Sequence, residues 1–168
     1  MKNKTIAVWL TLILGPIGAH RLYLKGKFDS AALALSLCSA TGLYGVLRAR
    51  SIGLDDQASW LLVPWLGFAI AASALTAIVY GLTDGEKWNK TYNTDRAGDA
   101  PAGQTNWLTV IGLGSALLIG ATALLASIAF TFQRYFEYEA EQSQARSGWV
   151  QPPLSNTAEN KVHGTYQA

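Results

Sequence analysis

The sequence predicts an all-α, polytopic helical membrane protein with about four transmembrane helices. Half of the 168 residues are hydrophobic. The charged residues lie almost entirely between long apolar runs, which contain no Asp, Glu, Lys, Arg or His. A water-soluble amphipathic helix needs a polar face, and these runs have none. The four runs are residues 5–19, 30–47, 59–83 and 106–133.

The four runs differ in length. A helix needs about 20 apolar residues to cross about 30 Å of hydrocarbon. The third and fourth runs exceed that length, and the second is close to it. The first run is short and contains Gly15-Pro16, a pair that ends or kinks a helix. The first run therefore either spans the membrane, as we expect, or re-enters and returns to the same face.

The start of the chain also resembles a secretory signal peptide, because Lys2 and Lys4 precede an apolar stretch. Ile17-Gly18-Ala19 would be an imperfect cleavage site, since Ile17 is large. Further apolar runs follow at once, so we expect the first run to be retained.

Composition argues against several classes of function. A net charge of +2, without a basic run interleaved with aromatic residues, argues against nucleic-acid binding. The single cysteine, Cys38, permits no intramolecular disulfide and no cysteine-based metal motif. His163, the other histidine besides His20, lies in a polar C-terminal segment, so no metal site is expected. No nucleophile has a base nearby in sequence, and we expect neither catalytic residues nor a cofactor.

The most specific stretch is 15–28, which joins the first two runs. It carries His20, Arg21, Tyr23, Lys25 and Lys27. These side chains suit the headgroup layer, where they would bind lipid headgroups and fix the depth of the helices. In the alternative interpretation they form a working site, in which Arg21 holds a lipid phosphate and His20 titrates near neutral pH. We prefer the anchoring interpretation because such residues are ordinary at a membrane edge.

The stretch Gly15-Pro16-Ile17-Gly18-Ala19-His20-Arg21-Leu22-Tyr23-Leu24 resembles a known signature. TM2 domain proteins carry glycine-x-x-glycine-x-histidine-arginine-phenylalanine-tyrosine-leucine in a short loop between two membrane helices. Leu22 replaces the usual phenylalanine, and Lys25 stands where the family normally has glycine, with Gly26 one place later.

This resemblance extends to Asp55-Asp56 and to Tyr80-Gly81-Leu82, so residues 1–90 are predicted to form a TM2-like membrane domain. It implies a multi-pass protein, similar to longer bacterial versions of the domain and hence of the bacterial plasma membrane. It implies no catalytic residues.

Small residues form a stripe on each of the last two runs. Such stripes let helices approach closely, either within one chain, which we prefer, or between copies. We also expect aromatic residues to mark the membrane interfaces of the third run. The stripes are Ala69, Ser73, Ala77 and Gly81, and Gly112, Ala116 and Gly120, and the aromatic residues are Trp60, Trp65, Tyr80 and Trp88.

The remaining segments are predicted from composition. Residues 91–105 are rich in glycine, alanine and polar residues, which is typical of a flexible loop. Residues 106–133 form an additional transmembrane helix outside the TM2-like part. Residues 139–168 lack an apolar period and are predicted to be a polar, disordered tail.

The distribution of Lys and Arg depends on the topology assumed. Leaving out the distant Lys161, six such residues flank each membrane face if there are four spans. If the first run re-enters, eight lie on one side and four on the other, which fits the positive-inside rule better. With four spans, the TM2 resemblance would place the loop that contains His20–Lys27 in the cytoplasm, and hence both termini outside.

The predicted function is that of a non-catalytic integral membrane protein. It would act through helix packing, with itself or with other membrane proteins, in contact with the lipid bilayer and without nucleic acid. The alternative is a small transporter or channel component. The long runs contain no ionisable residue of the kind that usually lines an ion pathway.

Overall fold

The computed structural model describes residues 1–53, 56–94 and 101–148, and in these ranges the regular elements are all helical. The chain divides into two compact units, residues 1–131 and 132–168. Short 3₁₀ turns occur at Gly15–Ile17 and Pro101–Gly103. The α-helices are α1 (Lys4–Leu14), α2 (Ala19–Lys25), α3 (Ser30–Ile52), α4 (Gln57–Leu82), α5 (Gly85–Tyr92) and α6 (Trp107–Gly148).

Three helices, α3, α4 and α6, are long and apolar enough to cross a membrane. The first apolar run is not, because α1 has 11 residues and is therefore about 16 Å long. The prediction of about four transmembrane helices is thus corrected to three candidate spans in the described part of the chain. The Gly15-Pro16 pair explains the difference, since the chain leaves the α-helix there and turns.

Helices α1 and α2 form a short hairpin whose two outer ends meet. The backbone N–H of Asn3 donates to the hydroxyl of Tyr23 at 3.0 Å, and the ammonium group of Lys2 donates to the carbonyl of Leu24. The tip of the hairpin packs on the middle of α4, where a Cβ at Gly15 would lie 2.6 Å from that of Ser73. Helix α1 therefore runs along α4, and the chain turns at Gly15–Ile17 and comes back as α2.

Helices α3 and α4 form a longer hairpin that depends on close backbone contact. A Cβ at Gly42 would lie 2.2 Å from the backbone nitrogen of Leu66, and one at Gly45 would lie 2.6 Å from the Cβ of Leu62. Because higher numbers on α3 meet lower numbers on α4, the two helices are antiparallel.

Helix α6 packs antiparallel to α4 through contacts seven residues apart. Gly67 lies against Ser127, Ala74 against Gly120, and Gly81 against Leu113. The predicted small-residue stripes therefore contact neighbouring helices within the chain. Ala69, Ser73, Ala77 and Ala116 are buried, Ala116 joins Ala74 and Ala77 in a core cluster with Val8, and Gly112 lies against Val8 and Trp9.

The segment after α4 is more ordered than the sequence predicts. Helix α5 begins after Asp84, whose carboxylate accepts from the backbone N–H of Glu86 at 3.1 Å, and it continues to Tyr92. Pro101–Gly103 forms a turn in which Ala102 and Gly103 are buried. The prediction of a flexible loop over 91–105 therefore differs from the structure at both ends, and residues 95–100 lie outside the described residues.

In the second unit the structure describes residues 132–148, which are helical. Phe132 and Phe136 stack with their ring centroids 6.4 Å apart, and Arg134 pairs with Glu137 at 2.8 Å. Residues 139–148 are thus helical, where the sequence predicted a disordered tail from 139 onward. Its remainder, 149–168, lies outside the described residues.

Candidate functional site

The motif residues lie on the α1–α2 hairpin and the segment that leads into α3. Asn3 caps α1 by accepting from the backbone N–H groups of Thr5 and Ile6. At the tip, Gly18 has φ 79°, in the left-handed region, and its N–H donates to the carbonyl of Gly15 at 2.7 Å. Gly18 also contacts α3, because a Cβ there would lie 2.8 Å from that of Ala32. The two motif glycines thus allow the tight turn and its contacts with α3 and α4.

Two serines of α3 satisfy backbone groups at the hairpin tip. The hydroxyl of Ser36 donates to the carbonyl of Ile17, and that of Ser39 donates to the carbonyl of Pro16, both at 2.7 Å. These carbonyls lie where the helix is broken and lack the regular partner of a continuing α-helix. The serines therefore stabilise the turn from a neighbouring helix.

The cations of the motif are largely paired with one carboxylate. Arg21 and Lys25 each approach Asp29 to 2.7 Å. Hydrogen bonds from Lys25, Ser30 and Arg21 hold the pKa of Asp29 well below its ordinary value. Asp29 occupies the N-cap position of α3 without making a side-chain capping bond. Of the predicted headgroup contacts, Lys27 is exposed, whereas Arg21 and Lys25 already have a partner.

His20 lies inside the protein, although the sequence suggested a headgroup contact. Its side chain is 0% exposed, and its ring centroid lies 6.0 Å from that of Tyr80. Neither ring nitrogen has a hydrogen-bond partner among the described residues. Burial, assisted by the charge of Arg21, lowers the pKa of His20 to about 4.

An aromatic cluster of Tyr80, Trp88 and Tyr92 lies beside His20. The ring centroids of Tyr80 and Trp88 are 5.8 Å apart, and those of Trp88 and Tyr92 are 4.6 Å apart. Trp88 is fully buried, and its indole N–H donates to the carbonyl of Lys2 at 3.0 Å. Trp88 therefore packs inside the protein, where the sequence predicted a ring at the membrane interface. Trp88 follows the capping residue Asp84 by four residues and precedes Tyr92 by four. This spacing is the sequence signal for α5.

Lys4 is a functional-site candidate that sequence reasoning missed. It is 1% exposed, and its ammonium group donates to the carbonyl of Thr83 at 2.6 Å and to the hydroxyl of Thr105 at 2.7 Å. Burial lowers the pKa of Lys4, and the charge of Asp84 opposes that shift. Its partners are 79 and 101 residues away in the chain, so no local pattern identifies them.

Most of the polar groups at the end of the bundle where the N-terminus, α2 and α5 meet are hydrogen-bonded to one another. Among the residues that the structure describes, no group of three His, Cys, Asp or Glu side chains is arranged to hold a metal ion. The arrangement is suited to holding the hairpin in place and to responding to charge at His20. No protein-family model matches the chain, and neither a curated protein nor a solved structure is significantly similar to it.

Proposed function

We propose that the chain is a non-catalytic, multi-pass integral membrane protein in which α3, α4 and α6 cross the bilayer. The observation that supports this most is the apolar surface that these helices turn outward. An exposed leucine in water forfeits about 1.5–3 kcal/mol relative to burial, and lipid removes that penalty. Leucines spread along the helices are 63% to 74% exposed: Leu61, Leu75, Leu117, Leu118 and Leu125.

In this proposal the α1–α2 hairpin enters the membrane from one face and returns to it. Its tip contacts Ser73, which is nine residues before the end of α4 at Leu82 and hence about 14 Å from that end. That depth is about half of a hydrocarbon core of about 30 Å. The hairpin is thus a re-entrant segment rather than a fourth span.

A re-entrant turn needs its backbone groups satisfied, because lipid offers no hydrogen bonds. Ser36 and Ser39 supply donors to the carbonyls of Ile17 and Pro16, and Gly15 and Gly18 are buried against α4 and α3. These contacts supply the protein shielding that non-helical backbone requires at membrane depth.

The positive-inside rule gives this arrangement a direction. With a re-entrant hairpin, and leaving out the distant Lys161, eight Lys and Arg residues share the side of the N-terminus and four lie on the opposite side. We infer that the N-terminus and the α2–α3 segment face the cytoplasm. The TM2 resemblance favours the same location for the α2–α3 segment, and it is the basis for proposing the bacterial plasma membrane.

We further propose that the motif of this TM2-type domain builds the hairpin. Gly15 and Gly18 shape its tip, Arg21 and Lys25 join α2 to the start of α3, and Tyr23 joins it to the N-terminus. The biological role would then be association with other membrane proteins, through helix surfaces that the bundle leaves exposed to lipid.

The topology is tested by cysteine accessibility in a Cys38→Ala background. One cysteine is inserted after Met1, another replaces the exposed Lys27, and a third replaces the exposed Ser51 at the far end of α3. Each is labelled with a membrane-impermeant maleimide, before and after permeabilisation of the cells. We expect the first two to be protected in intact cells and the third to be labelled.

Labelling of only one of the first two positions from outside would contradict the re-entrant hairpin and restore α1 as a span. Labelling of both, with protection of Ser51→Cys, would keep the hairpin and reverse the orientation. The role in association is tested by purification in mild detergent. A chain that remains monomeric and alone, yet carries ions across vesicles in an Arg21-dependent way, would replace it with the transporter alternative.

A further inference from the structure

The burial of His20 without hydrogen-bond partners has consequences beyond the anchoring of the hairpin. Its side chain is 0% exposed, and Nδ1 and Nε2 both lack a partner within the described residues. Buried polar atoms are normally paired, and an unpaired one calls for an explanation, such as a working group, a source of strain or a bound water. His20 is also the histidine that the motif places on α2, the shortest α-helix of the described residues.

The neutral and charged forms of His20 differ in what they need from this site. A neutral imidazole carries one N–H donor and one acceptor, whereas the imidazolium carries two donors and a positive charge. An apolar, aromatic site tolerates the neutral ring far better than the charged one. Protonation therefore weakens the packing of the helix that carries His20.

None of the groups named below supplies a free carboxylate to pair with the charged form of His20. Tyr80 faces it from α4, and Tyr92 of α5 lies behind Tyr80 with its ring centroid 6.5 Å from that of Tyr80. On α2 itself, Arg21 adds a like charge. Asp29, the carboxylate that pairs with Arg21, is already shared with Lys25.

The other charged groups at this end of the bundle include Lys2, Lys4 and Asp84. Lys2 and Lys4 are also positive: the ammonium group of Lys2 donates to the carbonyl of Leu24, and that of Lys4 donates to Thr83 and Thr105. The carboxylate of Asp84 accepts from the backbone N–H of Glu86, and its charge acts on Lys4. Beyond Lys4, α1 presents Ala7 to the cluster that includes Leu24 of α2 and Trp88 of α5. The side chains of Lys4 and Ala7 cannot accept a hydrogen bond from an imidazolium group.

We propose that α2 is a proton-sensitive latch, which stays seated against α4 and α5 while His20 is neutral and is released when His20 becomes protonated. Release would uncover the aromatic surface of Tyr80 and Trp88 on the side of the bundle where the N-terminus lies. The latch depends on the packing of α2 and is independent of the orientation of the protein in the membrane.

The direction of the pH effect follows from proton linkage. A free histidine titrates near pH 6.5, whereas the seated state has a pKa of about 4. The seated state binds the proton more weakly, so its full stability is present above pH 6.5 and is lost as the pH falls from 6.5 towards 4. Between pH 7.5 and pH 5, the equilibrium constant for release rises about 30-fold.

The experiment measures the release of α2 by thiol labelling of the full chain in lipid nanodiscs. Leu24 on α2 is 2% exposed, so Leu24→Cys in a Cys38→Ala background reacts with N-ethylmaleimide only after release. The labelling rate is followed by intact-mass spectrometry at pH values from 7.5 to 5. The matched control carries His20→Phe in addition. At each pH, the labelling rate of the protein that retains His20 is divided by that of the control, which removes the pH dependence of the thiol itself.

We expect this ratio to rise about 30-fold between pH 7.5 and pH 5. A ratio that changes by less than about threefold, or labelling that rises equally in both proteins, would overturn the latch. If His20→Phe does not assemble, His20→Gln takes its place, because glutamine also cannot become charged. Lys27→Cys, at an exposed position, checks that the reagent behaves alike in both backgrounds.

Discussion

The two helical hairpins of this chain are held together in different ways. The α3–α4 hairpin joins helices of 23 and 26 residues through repeated close contacts, among them Gly42 against Leu66. The α1–α2 hairpin joins helices of 11 and 7 residues and depends on single polar contacts, such as Ser39 to the carbonyl of Pro16. The first distributes its stability along two helices, and the second concentrates it in a few groups.

This difference indicates where the molecule can change conformation. Loss of one contact in a long packed interface is shared among many neighbours, and a backbone collision there affects the whole bundle. Loss of one contact in the short hairpin has no such compensation, so it acts locally on α1 and α2. Local opening belongs to regions with few buried apolar contacts, and α2 is such a region.

The largest effect is expected from Gly42→Ala in the long hairpin. The added Cβ would lie 2.2 Å from the backbone nitrogen of Leu66 and 2.6 Å from its Cα, and backbone cannot move aside as a flexible side chain can. We expect a loss of about 3 kcal/mol in the free energy of unfolding, measured by thermal unfolding in detergent. Gly114→Ala is the matched control, since its Cβ would meet nothing within 4 Å, and an equal loss there would contradict the proposed contact.

The next effect compares two glycines with left-handed backbone. Gly18 has φ 79° and Gly26 has φ 69°, so alanine costs about 1–2 kcal/mol at either position. Gly18→Ala also drives its Cβ to 2.8 Å from that of Ala32, whereas Gly26→Ala meets open space. We therefore expect Gly18→Ala to cost about 1–2 kcal/mol more than Gly26→Ala, measured as above. Equal losses would show that the hairpin tip is not packed on α3.

A smaller and more local effect is expected from Ser39→Ala. It leaves the carbonyl of Pro16 without the hydroxyl that now donates at 2.7 Å, at a cost of about 1–2 kcal/mol. Labelling of Leu24→Cys should then accelerate roughly tenfold, while the thermal midpoint of the bundle changes little. Thr41→Ala removes a hydroxyl that donates within α3, to the carbonyl of Leu37, and should leave the labelling rate unchanged.

The sequence predicts the long helices well because their signal is compositional. A run of about 20 uncharged residues has few stable states besides a lipid-facing or buried helix. Run 30–47 lies within α3, and runs 59–83 and 106–133 lie within α4 and α6 except for Thr83 and Asn106. The end of α6 was harder to predict, because residues 139–148 are polar, and a polar exposed helix has no apolar period to reveal it.

The short hairpin could not be predicted in the same way. Gly15-Pro16 predicts a break in the helix, but hydropathy does not determine whether the chain then continues across the membrane or turns back. The direction depends on partners elsewhere in the chain, such as Ser36 and Ser39 on α3 and Ser73 on α4. The buried position of His20 likewise depends on Tyr80, which lies 60 residues away along the printed sequence.

The smallest effect is expected at the closed end of the long hairpin, where Arg48 pairs with Asp56 at 2.6 Å. The hydrogen bonds from Arg48 and Ser59 hold the pKa of Asp56 below its ordinary value. The contribution of this pair to stability is therefore present above about pH 4 and is lost as the pH falls below it.

The pair of Arg48 and Asp56 is partly exposed, and water and salt screen it. Arg48→Gln removes the charge but keeps the hydrogen bond that the backbone N–H of Ser59 donates to the carboxylate of Asp56. Its thermal midpoint should fall less than that of Ser39→Ala or Gly18→Ala, and the difference from the unaltered chain should disappear in high salt. A larger, salt-independent loss would mean that one charged contact, rather than the glycine interface, closes the long hairpin.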